Sequence, residues 1–416
     1  MLSPVQWKLA LAEHGVRLAP EVEKSLVSIP ADAAQGPITQ GIELVLPHGV
    51  VAEATTVATQ VAASPLLLTS YNDGLILVNE REPDGDVGSV AVSVVAAPRF
   101  YDETTRSGRP MRQVAMMRGG ALSISPFAVC GFAEHQAPCL LCPLHSSGSP
   151  GENGTASIDE VLEVVGAAFA EGATEMVFFN TGWSPSEDGG FAALEPYIEA
   201  VKKHFDTLVA LRGHPPSDDQ WIDRTYAAGV DALGYGIEIF DPECLSKHCP
   251  ERSAMVTRDR YLSALQYAAQ IFPNGTVWTD LIVGLEPIAS TRTAIDTLTD
   301  MGVVPVLCSA PRMVPSAPAA PDGLEHYDGE DERSLYAHLY RAVRDSRINA
   351  LWMRDLGYGV TPIEARFFAG EDATLDVAAS SFYRSRLGSR AVRSLSRLRR
   401  RLRVRRVSES FDAAHL

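Results

Sequence analysis

Apolar positions fall along this chain in two rhythms. Up to about residue 117, short β-type runs (IELVLP, PLLLTS, LILVN and SVAVSVVAA) follow an N-terminal helical segment and are separated by the turn signals HG, NDG and PDGD. From Gly120 the runs become continuous and alternate with longer stretches of helical periodicity. The strands are ALSISPF, TEMVFFN, TLVALRG, ALGYGIEIF, TVWTDLIVG and VVPVLCS, with helices beginning near Ser157, Gly190, Pro216, Thr257 and Ala289. Six such runs with intervening helices predict a parallel sheet covered on its outer face. Right-handed crossovers curl a sheet of this kind into a full or partial barrel, with reactive groups on loops at the carboxyl ends of its strands. The expected class is therefore α/β, a partial (β/α)6 TIM-like barrel.

Beyond Ser309 a proline-rich link, APRMVPSAPAAP, leads to a helix in ERSLYAHLYRAVRDSR. The closing segment RAVRSLSRLRRRLRVRR sets Leu395, Leu398 and Leu402 on one helical face among arginines. The organisation predicted is an N-terminal β-rich α+β accessory domain over 1–117, a barrel core over 118–325, and a C-terminal helical extension over 326–416.

With 416 residues, 46% of them hydrophobic, the chain has apolar mass for one large domain and an accessory one. MLSPVQWKLALAEHGVRL breaks its short apolar run with Lys8, Glu13 and His14, which fits neither a signal peptide nor a spanning helix and points to the cytoplasm. Eleven arginines lie between Arg384 and Arg406, so the remainder carries 25 basic residues against 52 acidic, a balance of −27. An acidic body argues against wrapping nucleic acid over the main surface. The leucine seam and the counter-charge instead predict that the arginine tail docks on its own chain or on a partner protein.

Three of the six cysteines crowd into VCGFAEHQAPCLLCP as C-x8-C-x2-C, on the loop after the first barrel strand. In a reducing compartment, clustered thiols indicate metal or redox chemistry. Two readings stand on spacing alone. One is closed tetrahedral zinc, with His135 or His145 as fourth ligand and a binding or scaffold role without redox chemistry. The other is a [4Fe–4S] cluster held by three thiolates, with one iron open to a non-protein ligand.

The chain from Gly120 to about Ser309 resembles the radical S-adenosylmethionine superfamily, in a branch with an extended first cysteine spacing that is encoded near nitrilase-type enzymes. PRFYDETTRSGRPMR, from Pro98 to Arg112, is similar to an RFYD-x-TT segment upstream in that branch. Within the barrel the resemblance runs toward biotin synthase and the thiazole-forming tyrosine lyase, through FFNTGWSPSEDGG, GYGIEIFDPE and TDLIVGLEP in order. It implies that Cys130, Cys139 and Cys142 hold a [4Fe–4S] cluster and that S-adenosylmethionine chelates its open iron. Asn180, Thr181 and Gly182 would meet the methionine amine, Glu238 the ribose hydroxyls, and Arg258 the carboxylate. Ile282 and Gly284, helped by Leu307, would form the adenine floor.

The activity so implied is reductive cleavage of S-adenosylmethionine to a 5′-deoxyadenosyl radical that abstracts hydrogen from a small-molecule substrate. Lyase, rearrangement and dehydrogenation outcomes remain open, with flavodoxin or ferredoxin as electron donor. Two positions depart from the superfamily pattern: Leu141 replaces an aromatic residue and Pro287 an acid beside Glu286. Phe179 and Trp278 stand where biotin synthase has further cysteines, which argues against sulfur insertion. Cys244, Cys249 and Cys308 read as ordinary thiols, and His214 as a turn cap or substrate contact. Arg106, Arg109, Arg112 and Arg118 read as a solvated face or an anion site.

Overall fold

The computed structural model describes residues 2–26, 41–72, 74–81, 88–127, 130–134, 154–174, 176–309, 329–356, 359–370 and 390–401. Cys139, Cys142, His135, His145 and Leu402 lie outside them.

The chain opens with α1 (Pro4–His14), whose Ser3 and Gln6 form a capping box. There follow β1 (Arg17–Leu18), α2 (Pro20–Leu26), β2 (Gly41–Leu46), β3 (Val50–Thr55), α3 (Ala58–Val61), β4 (Leu66–Tyr71), β5 (Gly74–Asn79) and β6 (Ser89–Val94). Strands β1 to β6 form one sheet in the order β1-β4-β5-β6-β2-β3. Burial alternates residue by residue along β2 and β3, so one face of each strand meets the core.

The second sheet begins with the hairpin β7 (Ala115–Arg118) and β8 (Ala121–Ile124). Next come α4 (Gly131–Glu134), α5 (Ile158–Ala170), β9 (Met176–Asn180), α6 (Phe191–His204), β10 (Leu208–Gly213), α7 (Gln220–Ala228) and β11 (Ala232–Tyr235). They are followed by α8 (Pro242–His248), α9 (Pro250–Met255), α10 (Arg258–Ile271), β12 (Val277–Val283), α11 (Ile288–Asp300), β13 (Val304–Ser309), α12 (Gly329–Asp345) and α13 (Pro362–Ala369). The order is β13-β12-β11-β10-β9-β8-β7, so six parallel strands stand side by side in chain order with an antiparallel edge strand.

Every residue of β11 and β12 is buried, as expected of parallel strands covered on both faces. Aromatic side chains fill the inner face near the amino ends, where Trp278 lies 5.9 Å from Phe178 and 5.4 Å from Trp352. After α12 the chain returns to the sheet edge, where Val360 pairs with Leu307. The two sheets share one apolar core. A buried ion pair, Lys8 Nζ to Glu364 Oε1 at 2.8 Å, ties α1 to α13. Among the described residues no helix is long and apolar enough to cross a membrane.

The arginine-rich segment is helical over 390–401 and binds its own chain. Arg400 donates to Asp231 at 2.6 Å, and Arg393 and Arg397 lie 3.8 and 3.5 Å from Asp206. Leu395 and Leu398 do not make the expected seam on the chain's own body, being 52% and 56% exposed. Polar geometry explains the reversal. Ser396 and the guanidinium groups reach the carboxylates, and a helix cannot turn both faces to one surface.

Candidate active site at the carboxyl ends of the parallel strands

Strands β9 to β13 carry polar side chains toward one end of the sheet. Arg212 of β10 donates from Nε to Asp280 Oδ2 of β12 at 2.7 Å, reaching past the intervening β11 segment. Gly236 makes that crossing possible, since a Cβ there would sit 3.0 Å from the Arg212 guanidinium. The other arm of Arg212 meets Glu238 Oε1 at 3.2 Å.

Glu238 has a left-handed backbone, φ +64°, which aims its carboxylate where an extended strand would not. Its amide donates to Asp280 O and its carbonyl accepts from Ile282 N, both at 2.8 Å. Arg252 of α9, 2% exposed, closes the carboxylate from the other side with Nη1 at 2.5 Å from Oε2. Burial alone would raise the pKa of Glu238, but the Arg252 and Arg212 guanidinium groups outweigh it and hold the carboxyl below its ordinary range. Glu286, itself 1% exposed, accepts from Phe240 N and Asp241 N at 2.8 and 2.6 Å and so fixes the loop that follows Glu238.

A neutral relay adjoins the charge network. Arg252 Nη2 lies 3.3 Å from the Tyr261 hydroxyl, which lies 2.7 Å from His214 Nδ1. A guanidinium only donates, so the hydroxyl accepts from it and can pass its own proton toward Nδ1, leaving the ring hydrogen on Nε2. Burial and the nearby Arg252 charge push the His214 pKa down to about 3.

The first cysteine is delivered to this same end. Gly131 N donates to Trp183 O at 2.7 Å, and the Phe132 ring stacks on Trp183 with centroids 4.5 Å apart and planes 6° apart. Phe132 also meets His214 edge-on at 5.2 Å. Cys130, half-buried, is thereby joined to the loop after β9 that carries Thr181 and Gly182.

The remaining candidates fall as follows. Asn180 donates its side-chain amide to Ser123 Oγ at 2.9 Å, and Thr181 N donates to Arg212 O at 3.0 Å. Arg258 opens α10 and stacks over Phe240 at 4.2 Å, two residues beyond Glu238. Ile282 lines a small buried cluster with Ile239, Leu245, Cys249 and Leu285, against which Cys244 and Cys308 pack. Gly284 has φ +94°. Leu307 is fully buried in the main core, and its neighbour Cys308 packs on both that core and the Ile282 cluster. Burial and the Asp280 charge raise the Cys308 pKa well above that of an ordinary thiol. Among the described residues no group of three His, Cys, Asp or Glu side chains is placed to hold a metal ion.

Arg212, Arg252, Tyr261 and Asp280 were not among the sequence candidates. Asp280 and Arg212 left a faint signal, each being the one charged residue in an apolar strand, VWTDLIV and LVALRG. Arg252, in the ordinary-looking PERSAM, left none. Arginines upstream of the barrel are engaged by carboxylates. Arg106 N binds Glu163 at 2.8 Å, Arg109 lies 3.2 Å from Glu160, and Arg118 lies 3.9 Å from Glu53. The RFYD segment is a clasp: Arg99 N binds Glu171, and the Tyr101 hydroxyl accepts from Met117 N.

No protein-family model matches the chain, and no curated protein matches it. Partial likenesses occur among solved structures. Methylornithine synthase (PylB) has a TM-score of 0.42 at 13% identity, over 59% of this chain and 73% of that one. HydG, a maturase of the [FeFe]-hydrogenase, has a TM-score of 0.43 at 14% identity, over 57% and 55%. TsrM from Kitasatospora setae, a radical S-adenosylmethionine methyltransferase, has a TM-score of 0.35 at 16% identity, and the match spans 46% of this chain and 36% of TsrM.

Proposed function

We propose that the protein is a radical S-adenosylmethionine enzyme acting on a small molecule. One observation carries the reading. The turn bearing Cys130 is locked to the loop after β9 at the same end of the sheet where an ionised Glu238 is held between two arginines. The resemblance in sequence adds Cys139 and Cys142 as the other two cluster ligands. When bound, a [4Fe–4S] cluster and S-adenosylmethionine supply a carbon-centred radical for hydrogen abstraction.

The chain's own residues fit the nucleotide. Each oxygen of Glu238 accepts one guanidinium hydrogen bond and retains capacity for a ribose hydroxyl. Arg258, whose Nη1 lies 3.8 Å from the exposed carboxylate of Asp259, is assigned to the methionine carboxylate. Asn180, Thr181 and Gly182, which precede the Trp183 that holds the Cys130 turn, are assigned to the methionine amine. Ile282 supplies an apolar surface and Gly284 a close backbone approach for adenine, while Leu307 keeps a packing role. The three-part division of the chain, a reducing cytoplasmic setting and a flavodoxin- or ferredoxin-type electron donor belong to the same proposal. Substrate hydrogen abstraction leads to a lyase, rearrangement or dehydrogenation outcome.

Anaerobic reconstitution with iron and sulfide tests this reading. The expected product is a brown protein that releases 5′-deoxyadenosine from S-adenosylmethionine when reduced. A colourless protein with stoichiometric zinc and no affinity for S-adenosylmethionine would overturn it.

A further inference from the structure

The C-terminal helix is anchored on the side of the sheet opposite the candidate active site. Asp206 and Asp231, which receive its arginines, immediately precede β10 and β11 and so mark the amino ends of the strands. Arg400 adds hydrogen bonds to Tyr226 O and Val230 O, each at 3.0 Å. With its polar side spent on the body, the helix turns Ala391, Leu395 and Leu398 outward at i, i+4, i+7 spacing. Arg390, Arg399 and Arg401 are exposed around them.

A cavity of 320 Å³ opens between this helix and the end of α6. Its Lys202, Arg393 and Arg397 are already engaged: Lys202 lies 2.9 Å from Asp231, and Arg393 and Arg397 lie 3.8 and 3.5 Å from Asp206. The outer side of the helix is therefore an apolar ridge flanked by exposed arginines, on a chain whose remaining residues are strongly acidic.

We propose that this end of the molecule docks on an anionic phospholipid surface. The leucines enter the boundary between headgroups and acyl chains, and Arg390, Arg399 and Arg401 meet the lipid phosphates. The pairing of features selects the occupant. A free phosphate would use the exposed arginines and leave the leucines in water, and a nucleic acid backbone would likewise have no partner for Leu395 and Leu398. A molecule with a charged head and an apolar tail uses both. The acidic body confines adhesion to this end, so the mouth at the carboxyl ends of the strands faces away from the lipid.

Co-sedimentation of the full chain with vesicles tests the proposal, using phosphatidylcholine with and without phosphatidylserine. Binding is expected on the phosphatidylserine vesicles alone. Leu395→Ser with Leu398→Ser should weaken it about tenfold, and Arg399→Gln about fivefold. The leucines are exposed, so the double variant should keep the parent's melting temperature and circular dichroism, which separates loss of docking from loss of fold. Equal retention on both vesicle types would overturn the proposal. So would a double variant that binds as the parent does, or binding to duplex RNA or an acidic protein with none to vesicles.

Discussion

Arg252 and Glu238 form a buried ion pair, Nη1 to Oε2 at 2.5 Å, between a six-residue helix after β11 and the carboxylate at the mouth of the sheet. The arginine is more deeply buried than its partner, so its charge depends on Glu238 and on the carbonyl of Gly236, 2.5 Å from Nη2. Breaking such a pair from one side costs more than the pair contributes when intact. Arg252→Met should lower unfolding free energy by about 3 kcal/mol in denaturant titration. It should also weaken S-adenosylmethionine binding by calorimetry, since Glu238 loses the donor that orients it. A variant with unchanged stability would show that the pair is dispensable.

The turn that presents Cys130 tolerates little at its next residue. A Cβ on Gly131 would lie 2.9 Å from both the Trp183 ring and the Trp183 carbonyl oxygen, the latter being backbone that cannot swing aside. Gly131→Ala should displace the cysteine from the β9 loop and reduce the iron retained after reconstitution and gel filtration. Circular dichroism should stay close to that of the parent, because the strands are untouched.

His214 makes stability depend on pH in a stated direction. The unfolded chain protonates this ring below its ordinary value of 6.5, whereas the folded chain refuses the proton until about 3. Below pH 6.5 protons therefore favour the unfolded chain, and stability falls as pH drops toward 3. His214→Gln should flatten that fall by up to about 1.4 kcal/mol per pH unit. Melting curves between about pH 7 and pH 5, roughly the window above carboxylate titration, provide the check.

Asp231 is the hub of the tail contact. Burial would raise its pKa, yet Lys202 and Arg400 overcome that and hold it ionised. Asp231→Asn leaves both cations without their carboxylate and should cost about 3 kcal/mol. Removal of the residues after Gly388 should lower the melting temperature as well. In that truncated chain Asp231→Asn should cost less than in the full one, since the Arg400 contact is already gone.

The alternation of strand and helix was readable because continuous apolar runs and capped helices are local. Ser157 begins a capping box before α5, and Thr257 accepts from Arg260 N before α10, as their sequence positions suggested. The run ALGYGIEIF reads as one strand, but β11 stops at Tyr235 because Glu238 turns into the left-handed region. β7 was missed because AMMR is short and carries no period of its own. The charge network was hardest to read. Arg212, Glu238, Arg252 and Asp280 are brought together from β10, the loop after β11, α9 and β12, and no spacing in the chain encodes that meeting. The leucines of the tail misled for a related reason, since periodicity shows that a helix has two faces but not which one a body of carboxylates will hold.

The most direct test of the central claim is electron paramagnetic resonance of the reduced, reconstituted protein before and after S-adenosylmethionine is added. The account predicts a cubane-type signal that changes on addition, because the nucleotide binds the open iron beside Glu238, and that is lost when Cys130, Cys139 or Cys142 is replaced by Ala. A signal indifferent to S-adenosylmethionine, or one that survives the Cys130 replacement, would contradict it.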